Sequence, residues 1–139
     1  MVQPKKNGFE SPTSAEKRFV LDASFSRISV ESRADGVVIS FLNAELKEES
    51  ILQEVENQII EFIKQQKPKR VVLDFKAVKF MSSMMIRSLI RIRDWVVGND
   101  GQLKLANVPP HIREIFRITQ LEGRLFFLYD SIGEALGAF

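Results

Sequence analysis

The run Arg-Val-Val-Leu-Asp-Phe at residues 70–75 constrains the fold of this chain more than any other segment. It is nearly continuous in apolar residues, which predicts a central strand that is covered on both faces of a sheet. An amphipathic helix is predicted before it, from Glu48 to Gln65, and Pro68 ends that helix. A second helix is predicted to begin after the run, at Ser82 or Ser83. A covered strand between two such helices indicates an α/β fold.

Further strands and helices are predicted on either side of this centre. An Asp-Gly turn at residues 35–36 joins two of the strands into an antiparallel hairpin. The predicted strands cover residues 27–32, 37–42, 70–75, 103–108 and 125–129. A short helix follows Pro109 and Pro110, and Asp130 is expected to cap a last helix over residues 131–136. We therefore expect a mixed sheet of four to five strands with about four helices.

The composition divides the chain into a tail and one domain. Residues 1–25 are rich in Pro, Ser, Thr and Lys and offer little to bury, which is typical of a flexible tail. Residues 26–139 carry the regular pattern and are long enough for a single domain with its own core.

The charge and the rare residue types exclude several classes of function. Lys and Arg number 20 against 18 Asp and Glu, a balance that does not favour direct nucleic-acid binding. The chain has no Cys and a single His, His111, so we expect no disulfide, no metal site and no cofactor. Its apolar runs are too short to insert in a membrane, and no secretion signal is visible. We expect a cytoplasmic protein.

The pair Ser82-Ser83 is the most informative polar feature, because it lies between a buried strand and a helix. A serine at this place can cap the free N–H groups of the first helical turn. The same N–H groups, together with the helix dipole, can also accommodate a phosphate. From the residues alone capping is the favoured interpretation, because serine caps helices in every class of protein.

The segment Phe-Met-Ser-Ser-Met-Met-Ile-Arg-Ser-Leu at residues 80–89 resembles the signature of the STAS domain family, named for sulfate transporters and anti-sigma-factor antagonists. Ser82, Ser83 and Arg87 match the Ser, Ser and Arg of the family form Ser-Ser-Ala-Gly-Leu-Arg. The order of elements over residues 26–139 also resembles the family. Further similarity lies in the strand at 71–75, the loop at 42–46, and the C-terminal segments at 103–109 and 126–135.

This resemblance implies a non-enzymatic anti-sigma-factor antagonist. In such proteins a partner that is both an anti-sigma factor and a serine kinase phosphorylates one serine at this helix start. Only the unphosphorylated antagonist binds that partner and frees the sigma factor. The matching serine here is Ser83, with Ser82 as the fallback. The resemblance implies partner contacts through Asn43, Glu45, Ser82, Ser83, Met84, Met85 and Arg87, and it leaves a homodimer open. Met84 and Met85 stand where the family has small residues.

Other interpretations of these residues are retained or set aside. The alternative function is a STAS interaction module with another partner, such as a stress-signalling scaffold or a lipid-transport subunit. Arg87 is equally compatible with a phosphate clamp and with a solvated surface, whereas Arg91 favours the solvated surface. Asp74 is expected to order a loop by hydrogen bonding, because the acidic pair and Lys of a receiver domain are absent. No Gly-x-Ser-x-Gly motif supports a serine hydrolase.

The assignment of the tail predicts the course of limited proteolysis. Residues 1 to about 18 should be removed early by protease while the remaining fragment survives, because a segment with little to bury gains nothing by packing. Mass spectrometry of timed digests identifies the cut sites. Strong protection from hydrogen exchange before Phe19 would contradict the boundary.

Overall fold

The computed structural model describes residues 19–20 and 25–139. The tail that the sequence predicts therefore lies outside the described residues, except for Phe19, Val20 and Phe25. Those first two residues pair with the strand at residues 28–33, and Phe25 packs against the main core.

The described residues form eight strands and four helices. The strands are β1 (Phe19–Val20), β2 (Ile28–Arg33), β3 (Gly36–Phe41), β4 (Glu45–Leu46), β5 (Arg70–Asp74), β6 (Phe80–Met81), β7 (Gln102–Ala106) and β8 (Leu128–Tyr129). The helices are α1 (Glu49–Gln66), α2 (Met84–Gly98), α3 (Pro110–Ile118) and α4 (Ile132–Gly137). The α/β prediction is confirmed, and most predicted boundaries agree within two residues.

The main sheet is mixed, with strand order β1-β2-β3-β5-β7-β8. The predicted hairpin is present as the antiparallel pair β2–β3, and β3, β5, β7 and β8 run parallel to one another. Five of these strands are the five that the sequence predicts, and the two-residue β1 extends the edge. A second, two-stranded parallel sheet joins β4 to β6, and the sequence did not predict it.

Two local predictions at the C-terminal end are wrong. The strand expected at 125–129 is limited to its last two residues, because the N–H of Phe126 turns back to donate to the carbonyl of Leu121. The helix α4 is capped by Ser131 and not by Asp130. The Ser131 hydroxyl accepts from the N–H of Glu134 at 3.1 Å, because Ser131 has extended backbone angles directly before the helix.

The central strand β5 is buried on both faces, as its composition predicts. Val71 and Leu73 point into the main core, which α1 and α2 cover. Val72 points to the opposite face, where Ala135 and Leu136 of the short helix α4 cover it. This arrangement places the start of α2 at the carboxyl edge of the parallel strands.

A buried ion pair joins α1 to α2. Both nitrogens of the Arg91 fork donate to the Glu56 carboxylate, with Nε–Oε2 at 2.6 Å and Nη2–Oε1 at 2.7 Å. The Glu56 side chain is 7% exposed, whereas that of Arg91 is 46% exposed. The hydrogen bonds from Arg91, aided by one from Ser88, hold the pKa of the Glu56 carboxyl below its ordinary range, although burial acts in the opposite direction. The interpretation of Arg91 as a merely solvated residue is therefore wrong.

Removing the Arg91 side chain should destabilise the fold through this pair. Arg91→Ala leaves a buried carboxylate without its partner, and we expect a loss of about 2 kcal/mol in the free energy of unfolding. This value lies below the range for fully buried pairs, because Arg91 is half exposed. Arg87→Ala, on the same helix, serves as the control and should cost less than about 0.5 kcal/mol. Urea titrations measure both values, and equal values would contradict the structural role of the pair.

The same pair predicts a pH dependence of stability. Because the pKa of Glu56 is lower in the folded chain, its stabilisation is fully present above the ordinary Glu value of about 4.3. It is lost as the pH falls through the lower folded value. Wild type should therefore lose more stability between about pH 5 and pH 3 than Glu56→Gln, which has no charge to lose there. Parallel curves for the two proteins over this range would contradict the assignment.

Candidate functional site

The loop after β3 and the segment before α2 are held side by side at the carboxyl edge of the sheet. The carbonyl of Ala44 accepts from the N–H of Lys79 at 2.7 Å and from that of Phe80 at 3.0 Å. The N–H of Ser82 donates to the carbonyl of Leu46 at 3.0 Å. The two segments thus form one surface through backbone bonds, which fixes where the helix α2 begins.

Asp74 orders the turn that leads toward this surface. Its Oδ1 accepts from the N–H of Lys76 at 3.0 Å and from Nδ2 of Asn107 at 2.9 Å. Its Oδ2 accepts from the hydroxyl of Ser40 at 3.1 Å, and the residue is only 7% exposed. These bonds tie the ends of β3, β5 and β7 together. The expectation of a loop-ordering hydrogen bond is confirmed.

Ser83 is the residue directly before α2, and its side chain is exposed. The prediction that a helix begins at this serine pair is confirmed. The Ser83 hydroxyl makes no capping hydrogen bond, because its backbone already has helical angles, φ −65° and ψ −20°. The favoured interpretation of the sequence, a capping serine, is therefore wrong for Ser83. Its hydroxyl is free to face solvent or a partner.

Ser82 differs from Ser83 in its access to solvent. Its Oγ is buried and has no hydrogen-bond partner within the described residues. The carbonyl of Ser82 accepts from the N–H of Met85 at 3.1 Å, so its backbone belongs to the helix start. Of the two serines, only Ser83 presents its hydroxyl to a reagent or a second protein.

The other predicted contact residues are divided between the surface and the core. Met84 is 48% exposed, and Arg87 is exposed one turn further along α2. Met85 is fully buried in the main core, so its expected role as a partner contact is wrong. The helical period places it on the apolar face with Leu89 and Ile92. A helix wheel drawn from residue 84 would have shown this separation.

Asn43 and Glu45 lie in the loop beside this helix start. Oδ1 of Asn43 accepts from Nη1 of Arg27 at 3.5 Å, and the Glu45 carboxylate lies 3.6 Å from Nζ of Lys47. Glu45 is exposed and Asn43 is half-buried. The structure therefore brings both residues to the surface that carries Ser83.

Sequence reasoning missed three residues of this surface. Leu42 and Phe80 are 53% and 57% exposed, and the Nζ of Lys47 lies 5.6 Å from the centre of the Phe80 ring. His111 is exposed, and its Nε2 donates to the carbonyl of Lys79 at 2.6 Å. The two-residue period of a strand could have indicated that Phe80 is exposed where Met81 is buried. No local signal in the sequence indicates the contact of His111 with Lys79.

The arrangement is suited to binding and to accepting a charged group. Across residues 19–20 and 25–139 no cluster of His, Asp and Glu is arranged to hold a metal ion. No helix in this part of the chain is long and apolar enough to cross a membrane. An exposed hydroxyl at the positive end of an α-helix, with the exposed Arg87 one turn along the same helix, is favourable for an added phosphate.

Comparison with known proteins gives one family and several similar folds. The family model of the STAS domain matches residues 32–135. A STAS-domain containing protein of Pseudomonas aeruginosa (strain UCBPP-PA14) is 33% identical over 55 residues, which is 40% of this chain and 54% of that protein. The matched segment thus spans about half the length of this curated relative.

Two solved structures share the fold at low sequence identity. An anti-sigma-factor antagonist (STAS) domain protein from Planctomyces limnophilus has a TM-score of 0.68 at 24% identity, covering 80% of this chain and 96% of that one. The unphosphorylated form of the anti-sigma factor antagonist SpoIIAA has a TM-score of 0.65 at 20% identity, covering 80% and 94%. At these identities the likeness concerns the fold.

Asp74→Asn should destabilise the turn that positions this surface. The amide keeps one acceptor oxygen, so the three donors around Asp74 lose at least one bond in a buried place. We expect a loss of about 1–3 kcal/mol in the free energy of unfolding and faster hydrogen exchange over residues 75–82. Asp130→Asn, at a highly exposed carboxylate, is the control. Unchanged exchange over that segment would show that Asp74 does not hold the turn.

Proposed function

This chain belongs to the STAS domain family, and from that membership we propose that it acts as an anti-sigma-factor antagonist. In this proposal it binds an anti-sigma factor that is also a serine kinase, and phosphorylation of Ser83 releases the complex. The observation that carries the proposal is the exposed, uncapped hydroxyl of Ser83 at the start of α2. The similarity to antagonists solved in other species supports the same function.

The chemistry around Ser83 supports a phosphate at this position. Phosphorylation adds a charge of about −1.5 to −2 at neutral pH. The helix dipole stabilises negative charge at an N-terminus, and the Arg87 guanidinium follows four residues later on the same helix. The Arg87 side chain makes no ion pair within the described part of the chain, so it is available as a clamp. We therefore expect the phosphorylated domain to stay folded.

The cost of the phosphate falls on the complex instead. One partner carboxylate about 4 Å away would oppose each added charge by about 4 kcal/mol at an effective dielectric constant near 20. Solvent and local rearrangement reduce this value. Even about 3 kcal/mol corresponds to a loss of roughly a hundredfold in affinity. A modest change at one exposed hydroxyl is thus sufficient for a switch.

We propose further that the protein is not an enzyme, that it lies in the cytoplasm and that it does not itself contact nucleic acid. The Nε2 of His111 donates to the carbonyl of Lys79, so this nitrogen is not available as a general base for Ser83. The hydroxyl is thus better suited to receive a group from a partner enzyme than to attack a substrate. The anti-sigma factor supplies the catalytic groups in this scheme.

The switch is tested with purified chain and the ATP-dependent anti-sigma kinases of the source genome, taken one at a time. The cognate kinase should phosphorylate Ser83, and Ser83→Ala should keep binding while losing phosphate uptake. Ser83→Asp should weaken binding by up to roughly a hundredfold, with an almost unchanged melting temperature. Phosphosite mapping and calorimetric titration measure these outcomes.

Two further sets of variants complete this experiment. Gln102→Glu adds a negative charge at the amino end of β7, at the opposite edge of the sheet, and should bind as wild type does. Ser82→Ala and Ser82→Asp test the fallback acceptor, whose buried Oγ should take no phosphate. If neither serine is phosphorylated and Ser83→Asp binds normally, the switch is absent. An unswitched STAS interaction module with a different partner would then be the better description.

A further inference from the structure

Three large apolar side chains are exposed at the edge of the sheet that carries Ser83. Leu42 is 53% exposed, Phe80 57% and Met84 48%, although each follows or precedes a fully buried neighbour. Leu42 directly follows β3. The N–H of Phe80 donates to the carbonyl of Ala44, which lies two residues after Leu42. Met84 is the first residue of α2. We call these three side chains the apolar anchor.

Cationic side chains lie on the same three segments as the apolar anchor. Nζ of Lys47 lies 5.6 Å from the centre of the Phe80 ring, and the Lys79 and Arg87 side chains are exposed. Within the described residues neither Lys79 nor Arg87 has a carboxylate within ion-pair distance of its side chain. Cations without partners around an exposed apolar group are complementary to a surface that offers an apolar side chain flanked by carboxylates.

We propose that the apolar anchor is the specificity-determining contact for one occupant, an acidic amphipathic helix of the protein partner. This inference rests on the proposed function for the identity of that partner. An apolar side chain of the helix packs between Phe80 and Met84, and its carboxylates pair with Lys79 and Arg87. The unbranched thioether of Met84 adapts to the shape of the inserted side chain.

The same contact explains how one phosphate controls binding. Ser83 lies next to Met84 in sequence, so a phosphate on its hydroxyl stands beside the apolar anchor. It competes for the Arg87 guanidinium and repels the carboxylates of the helix. Affinity then comes from apolar packing, whereas the response to phosphate comes from charge.

An anionic membrane is a poorer occupant of this surface than an acidic helix. The exposed carboxylates of Glu45, Glu48 and Glu49 lie in the adjoining loop and first turn of α1. They would face the lipid phosphates at close range, because a bilayer covers the whole of this face. The small size of the apolar anchor also matches one or two side chains better than a bilayer surface.

The inference is tested without any kinase, so that its failure is distinct from failure of the phosphorylation switch. The probe is an amphipathic helical peptide of about 20 residues, with Leu along one face of the helix and Glu on both sides of that face. A matched peptide carries Lys in place of every Glu. Vesicles of phosphatidylcholine with phosphatidylglycerol form the third arm. Backbone amide and Met methyl chemical shifts of the full chain are followed during each titration.

We expect the acidic peptide to shift the signals of Leu42, Phe80 and Met84, and to bind about tenfold or more tightly than the Lys peptide. Phe80→Ala and Met84→Ala should each weaken it by about tenfold, as truncation of an interface anchor does. Ile118→Ala is the matched control, because Ile118 is 71% exposed at the far end of α3. It should bind as wild type does.

Three results would overturn the inference. They are equal affinity for the two peptides, shifts centred away from the apolar anchor, and binding to the vesicles in place of the acidic peptide. Phe80 and Met84 are both about half exposed, so their Ala variants should keep the dispersed amide spectrum of a folded chain. A variant with a collapsed spectrum is replaced by Lys79→Glu, which should weaken the acidic peptide through charge alone.

Discussion

The burial of β5 on both faces is the constraint on which the rest of the structure depends. Val71 and Leu73 require a cover on one side of the sheet, and Val72 requires one on the other. The helices α1 and α2 supply the first cover and α4 supplies the second. The helices α1 and α2 are the crossovers that parallel strands require, so the links from β3 to β5 and from β5 to β7 pass over the same face.

This topology gathers the candidate functional surface at one edge. The carboxyl ends of β3, β5 and β7 meet there, and Asp74 binds donors from the regions of all three. A carboxylate with bonds in three directions leaves the following turn little freedom. The short ladder between β4 and β6 then carries the chain to Ser83. The serine is thus presented by a rigid frame although it lies outside any long strand.

Charge is used in two different ways on α2. Arg91 forms an ion pair with the buried Glu56, and this pair links α2 to α1. Arg87, one turn earlier, and Lys79 before the helix keep theirs at the surface. The pair of Arg91 and Glu56 stabilises the fold, whereas Arg87 and Lys79 contribute positive charge to the surface. A single helix therefore contributes both to the core and to the exposed surface beside Ser83.

The sequence is enough to predict the class of fold, the positions of α1, α2 and β5, and the start of a helix at the serine pair. These features depend on local periodicity and on breakers such as Pro68, which act over a few residues. It also indicated that Asp74 orders a loop. The resemblance around residues 80–89 predicted the family that the comparisons show.

Long-range packing settles which of the two serine hydroxyls reaches the surface. Two-residue strands such as β4 and β6 have no detectable period, so their pairing depends on residues more than thirty positions apart. The same holds for the pairing of Arg91 with Glu56 and for the contact of His111 with Lys79. Burial of the Ser82 hydroxyl follows from how α2 packs, because the exposure of a side chain depends on what covers it.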